Sequence, residues 1–133
     1  MNILKQRNGY ITLISVMVVS AVGLSIAVSL ILLGIGAGKN SQSQEYMVQA
    51  RGLSNACAEL ALLQVRNSNA YIGTTNVTLG AGECSYTVSS SGGANREIQS
   101  TGTVKGVVRK VKVLINQLTP TLNVSSWQEV VDF

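Results

Sequence analysis

Residues 10–38 read YITLISVMVVSAVGLSIAVSLILLGIGAG and carry no charged side chain. As an α-helix this stretch would be about 43 Å long at about 1.5 Å per residue, against about 30 Å for the hydrocarbon core of a bilayer. The stretch is therefore long enough to cross a membrane and to continue beyond the lipid. It divides the chain into a short basic start, an apolar helix and a more polar remainder.

The charges that flank this stretch predict its orientation. Lys5 and Arg7 precede it, and Lys39 follows it. Because basic residues are retained on the cytoplasmic side, the bias favours an inside N-terminus and an outside C-terminus. We predict a single-pass protein of the cytoplasmic membrane whose remainder lies outside the cytoplasm.

A secretory signal peptide is the first alternative. Its apolar core is about 7–15 residues long and is followed by a small-x-small cleavage site. Residues 10–38 form a run about twice that length, which disfavours this alternative, although Ala37 and Gly38 resemble such a site. A secreted protein of this kind would begin near Lys39.

The apolar stretch is rich in small side chains. The candidate packing residues are Ser20, Ala21, Gly23, Ser25, Ser29, Gly34 and Gly38. Small residues let membrane helices approach closely, where apolar side chains gain nothing from one another beyond what lipid offers. We therefore expect packing against other helices, while ordinary tolerance of Gly and Ser in a membrane helix remains the alternative.

The two cysteines, Cys57 and Cys84, both follow the apolar stretch. Beyond a membrane segment such a pair predicts one disulfide in an oxidising compartment, and two buried free thiols are the alternative. The closed loop of about 28 residues would contribute roughly 3–4 kcal/mol in the chain-entropy account. A small extracytoplasmic domain benefits from such a link.

The composition does not favour an enzyme. The chain has no His, its single Asp is Asp132, and its Glu residues show no paired spacing. The many Ser and Thr residues lack a candidate base, and no metal-binding or phosphate-binding motif occurs. We predict no catalytic residues, no cofactor and no metal.

Residues 5–15 read KQRNGYITLIS, and with the apolar run behind them they resemble the N-terminus of type IV pilins and pseudopilins. The resemblance covers residues 5–38 specifically and the rest only in architecture. It implies that residues 1–9 form a basic leader, with Lys5 and Arg7 as its charges. It also implies that a prepilin peptidase cleaves between Gly9 and Tyr10, and that the new N-terminus is methylated.

The chain departs from this family at one position. The usual Glu at the fifth mature position is replaced by Ile14, and no acidic residue precedes Glu45. In major subunits that Glu is thought to pair with the N-terminal amine of a neighbour, and an unpaired ammonium in hydrocarbon is costly. The resemblance thus implies a minor subunit of a pilus-like or secretion-like fibre, with other pilin subunits as partners. A membrane-anchored binding domain that never polymerises is the rival hypothesis.

Residues 39–69 continue with helical spacing. Apolar and small side chains recur every three to four residues, at Met47, Ala50, Leu53, Cys57, Leu60, Ala61 and Leu63. This spacing predicts that residues 10–69 form one helix, whose amphipathic part, 39–69, lays one face on a folded domain. Asn67-Ser68-Asn69 is its predicted end.

Residues 70–133 show the alternation of short strands separated by turn residues. Predicted strands are 76–79, 84–88, 96–104 and 107–115. Cys84, Tyr86 and Val88 share one face of their strand, and Gly92-Gly93 signals a hairpin. We predict an α+β fold, in which the long helix covers an antiparallel sheet of about four strands. The tail, 120–133, is expected to add an edge strand or to pack over the sheet.

Basic residues cluster in the predicted sheet, at Arg96, Lys105, Arg109, Lys110 and Lys112. An anion-binding or DNA-binding patch is one interpretation, and protection of a sheet edge is the other. Without Lys5 and Arg7 the chain has eight basic and six acidic residues, or +2. So small a charge favours edge protection and makes nucleic acid the less favoured partner.

Overall fold

The computed structural model describes residues 9–133 in full and, for residues 3–8, the backbone alone. The predicted leader charges Lys5 and Arg7 lie outside the described side chains. One helix, α1, is followed by five strands: α1 Ile3–Asn67, β1 Gly73–Leu79, β2 Gly82–Gly92, β3 Asn95–Val104, β4 Val107–Gln117 and β5 Asn123–Val130. The chain divides into two compact units, one ending at Gln42 and the other spanning Ser43–Phe133.

The strands form one antiparallel meander in the order β1-β2-β3-β4-β5. The predicted α+β fold is therefore confirmed, with five strands where the sequence predicted about four. The additional strand is β5, in the tail, and it pairs along β4 with two register shifts.

Tight turns connect the strands. Gly92 and Gly93, both with positive φ, close the β2–β3 hairpin as predicted. At the β3–β4 turn Lys105 (φ 48°) and Gly106 (φ 82°) are both left-handed, which is the conformation that a two-residue hairpin loop with the twist of its strands requires.

The core lies between the sheet and the second part of α1. The buried residues of the helix are mostly small: Ala50, Ser54, Cys57, Ala58, Ala61 and Val65. The expectation that Met47, Leu60 and Leu63 join this face is wrong, because all three are exposed. Small residues occupy the interface because the helix lies close to the strand backbone.

The closest approach is at Gly102 in β3. A Cβ built there would overlap the carbonyl oxygen of Ala50 and would lie 2.5 Å from the amide nitrogen of Ser54. Glycine is therefore required by space, as glycines inside strands often are where another backbone comes near. Two residues earlier in β3, the Ser100 hydroxyl donates a hydrogen bond to the Ser54 carbonyl (2.6 Å). The buried hydroxyl therefore has a hydrogen-bond partner.

Candidate anchoring and assembly site

The first part of α1 presents an apolar surface that nothing in its own unit covers. Every described side chain from Gly9 to Glu45 is exposed, and the apolar ones stand between 42% and 71% exposed from Tyr10 to Ile35. The helix is long and apolar enough to cross a membrane. So large an uncovered apolar surface requires lipid or other helices around it.

The hydroxyl groups of this segment are satisfied within the helix. Ser15 donates to the Ile11 carbonyl and Ser20 to the Val16 carbonyl, at 2.8 and 2.7 Å. Ser25 and Ser29 likewise donate to backbone carbonyls three and four residues earlier. These serines can therefore face lipid or a neighbouring helix without needing a polar partner there.

The small residues fall on two opposite sides of the helix. At 100° per residue, Gly23, Gly34 and Gly38 lie within an arc of about 60°, together with Ser20. Ala21, Ser25 and Ser29 lie within an arc of about 80° on the other side. We call these the glycine seam and the serine seam. A Cβ built at Gly23, Gly34 or Gly38 meets nothing within 4 Å, so the glycine seam is open to an approaching helix.

The predicted processing residues, Gly9 and Tyr10, lie at the start of the fully described region. Both are helical and exposed, and the Thr12 hydroxyl donates to the Gly9 carbonyl (2.8 Å). Nothing lies within 4 Å of a Cβ built at Gly9. The remainder of the predicted leader lies outside the described side chains.

The predicted disulfide between Cys57 and Cys84 is present in the structure. Its Cα atoms are 6.1 Å apart, and both cysteines are buried. Cys57 lies on the buried face of α1 and Cys84 on the inner face of β2. The bond therefore joins the helix to the sheet at the centre of the core.

The five basic residues of the predicted patch do not form one surface. Arg96 is only 9% exposed, and its guanidinium donates to the Ser90 hydroxyl and to backbone carbonyls of residues 69, 93 and 95, while its Nε has no partner within the described residues. Its strand position, alternating with Ile98 and Ser100, is the sequence signal that places it inside. Arg96 thus links the β2–β3 turn to Asn69, two residues after the end of α1.

Carboxylates neutralise most of the remaining cations. Lys112 lies 2.9 Å from Glu97, Lys110 is paired with Asp132, and Arg109 lies 3.6 Å from Glu129. The Lys112 ammonium, and then the Gln99 amide, hold the pKa of Glu97 below its usual value. Edge protection by β4 is a wrong interpretation, because β5 pairs with β4 and makes it an interior strand.

Two further contacts between helix and sheet were not predicted. Arg51 of α1 donates from Nε to Glu129 of β5 (2.6 Å), and Trp127 donates from its indole to Asn55 (3.0 Å). Both depend on β5, whose residues do not alternate clearly between apolar and polar, so no sequence pattern points to these contacts. Among the described residues no group of three His, Cys, Asp or Glu comes together to hold a metal ion.

The fold and this site define a class: an α+β domain that follows a helix able to cross a membrane. Comparison with family models, with curated proteins and with solved structures found no match for this chain.

Proposed function

We propose that this chain is a structural subunit of a type IV pilus-like or type II secretion-like fibre, and a minor one. Residues 10–38 hold it in the cytoplasmic membrane before assembly and then pack against the helices of neighbouring subunits. The domain that follows is displayed outside the cytoplasm. The observation that carries the proposal is the pair of small-residue seams on opposite sides of one fully exposed helix.

Two opposite seams suit a fibre better than a dimer. A two-fold dimer needs one self-complementary surface, whereas a repeating assembly needs two different surfaces on each subunit. The glycine seam of one helix and the serine seam of the next would let backbones approach closely on both sides. Because the serine hydroxyls are already bonded within the helix, close packing costs no unsatisfied donor.

The processing step rests on the resemblance in residues 5–15. The proposed partner is a prepilin peptidase, which would cut between Gly9 and Tyr10 and leave Tyr10 as a methylated N-terminus. The exposed position of both residues supports this step, since an enzyme has to reach the bond from outside.

The proposal of a minor subunit rests on Ile14. After cleavage the amine of Tyr10 would lie near apolar helices without an acidic residue at the fifth position to pair with it. A subunit of this kind suits the places in a fibre where its amine is not enclosed on all sides. The first carboxylate of the chain, Glu45, lies 35 residues after Tyr10 in the sequence, so it cannot take the place of the missing Glu.

Shearing tests the proposal against its rival. Surface fibres are sheared from cells, and the chain is quantified in the sheared fraction and in the membranes. A fibre subunit should appear in both, at a low ratio to the main fibre protein if it is minor. A non-polymerising anchored binding domain should remain wholly with the membranes, and that result would contradict the proposal.

A further inference from the structure

The sheet has two outer strands, β1 and β5, and they differ in how well their free edges are protected. β5 carries Glu129, which is bonded to Arg51 of α1, and its pairing with β4 is interrupted by two register shifts. Charged side chains and such irregularities keep further strands from adding to the edge of a natural sheet. The β5 edge is therefore protected.

The β1 edge, which the structure describes completely, has neither form of protection. No charged residue and no proline occurs between residues 67 and 82, a stretch that includes the whole strand. The strand Gly73–Leu79 pairs with β2 without a register shift, so it is regular along its length. Among the described strands β1 pairs with β2 alone. A regular, uncharged outer strand is a template for the addition of another strand.

The backbone of β1 determines what kind of segment can bind at this edge. In an antiparallel pair, the N–H and C=O groups of alternate residues point away from the partner strand. On β1 these groups form a row that faces away from β2, and an extended chain can match such a row group for group. A helix bonds its backbone groups within itself and presents no row of this spacing. The edge therefore suits a β-strand.

The side chains of β1 determine the chemistry of that strand. Thr74, Asn76 and Thr78 are exposed on the outer face of the sheet. Val77 and Leu79 lie on the inner face, where Val77 packs against the core and Leu79 remains 40% exposed. Because side chains directly across two paired strands contact each other, the complementary strand has apolar residues at alternate positions. Uncharged polar residues such as Ser and Thr lie between them.

A second copy of this chain does not suit the β1 edge. Two copies paired antiparallel through β1 would be related by a two-fold axis perpendicular to the sheet. That axis reverses the direction of helix residues 43–67, which lie along the sheet, so the two chains would enter the paired domains from opposite sides. Two chains anchored in one membrane by residues 10–38 enter from the same side, which disfavours this pair.

We propose that the β1 edge receives one extended strand from a different subunit of the same fibre, which adds a sixth strand to the five of the sheet. This inference rests on the proposed function, because the fibre supplies the strand. One donor strand completes the contact for each copy of the chain, so a subunit present in few copies can make it. The added strand bonds the outward backbone groups of β1 and covers Leu79.

Lysines placed at the edge test the contact. Thr74→Lys with Asn76→Lys should lower the amount of chain in sheared fibres about tenfold or more, because charged side chains at an edge oppose strand addition. Immunoblotting of the sheared and membrane fractions measures the change.

The matched control is Thr87→Lys with Ser85→Lys. These residues lie directly opposite Thr74 and Asn76 in β2, on the same face but within the sheet. Either pair of changes removes the contact between the Thr74 and Thr87 hydroxyls (2.9 Å), so only the place of the charges differs. The control should stay within about twofold of the unaltered chain. Equal losses from the two pairs, or no loss from the edge pair, would contradict the proposal.

Photochemical cross-linking locates the donor strand without any loss of assembly. A benzophenone amino acid replaces Thr74, Asn76 or Thr78, one at a time in the full chain, and mass spectrometry of sheared fibres maps where it attaches. Because paired strands run in register, the attachment site should move by about two residues each time the probe moves by two, within one uncharged segment of another subunit. Attachment to a second copy, to scattered sites or to no protein would overturn the proposal.

The two proposals fail in different ways. If the unaltered chain forms fibres but the edge lysines have no effect and the attachment sites show no register, the edge contact is wrong and the proposed function stands. If the unaltered chain enters no fibre, the proposed function fails and the edge contact fails with it.

Discussion

Residues 10–38 and residues 43–67 belong to one helix, but the two regions differ in how far their side chains are buried. In the first region all of them are exposed. In the second a small-residue face is buried against a sheet and is linked to it by Cys57 and Cys84. The difference lies in what each region finds within its own chain, since only the second has a sheet to cover it. The first requires lipid or other helices around it.

This contrast predicts that bulk placed on the first region harms assembly and leaves the folded unit intact. Gly34→Leu with Gly38→Leu should lower the amount of chain in sheared fibres about tenfold or more, because larger side chains hold helix backbones apart. Immunoblotting of sheared and membrane fractions measures it. Val28→Phe with Ile35→Phe adds bulk between the two seams and should have a smaller effect. Equal losses from both pairs would contradict the role of the seams.

In the second region the largest loss should follow removal of the disulfide. Cys57→Ala with Cys84→Ala should lower the free energy of unfolding by roughly 3–4 kcal/mol, since the bond closes a loop of about 28 residues. Urea unfolding of the detergent-solubilised chain, followed by far-ultraviolet circular dichroism, measures the change. A shift below about 1 kcal/mol would show that the helix is held to the sheet by packing alone.

Two glycines provide a matched test of how close the helix and sheet lie. Gly102→Ala should destabilise the domain by about 2–3 kcal/mol, because its new methyl group meets the backbone of α1. Gly52→Ala, on the open surface of the same helix, should stabilise it by up to about 1 kcal/mol. The same unfolding experiment measures both, and a change of the same sign at the two positions would contradict the close approach.

The smallest expected effect is a loss of stability at low pH. The pKa of Glu97 is lowered by Lys112 and Gln99, so its ionised form is favoured in the folded state. The contribution of ionised Glu97 to the free energy of unfolding is complete above the unfolded carboxyl pKa of about 4.3. It is lost as the pH falls through the lower pKa of the folded state. Because the pair is partly exposed, we expect less than about 1 kcal/mol. Unfolding curves at pH 7 and pH 3 for Glu97→Gln and the unaltered chain should converge at the lower pH.

The regular parts of the fold could be predicted from the sequence. The uncharged run predicted the membrane-length helix, and the alternation of Cys84, Tyr86 and Val88 predicted a strand with one buried face. These patterns are visible because each element buries one face at its own period. The disulfide followed from the number of cysteines and their position beyond the apolar run.

The irregular parts could not be predicted in the same way. In β5 the apolar residues do not alternate: one register shift against β4 falls between Val124 and Trp127, and Trp127 and Val130 are three residues apart in continuous register, which puts them on opposite faces. Helical spacing predicts Leu60 and Leu63 in the core, but both are exposed, because the buried face of the helix passes through the small residues Cys57, Ala58 and Ala61. Arg96 was grouped with surface cations by composition, although its strand position places it inside.

We propose that residues 10–38 serve first as a membrane anchor and then, after cleavage of a leader, as an assembly surface. N-terminal mass spectrometry of the chain recovered from sheared fibres tests this claim most directly. We predict a mature chain that begins at Tyr10 with a methylated amine. A chain that begins at Met1, or near Lys39, would contradict it.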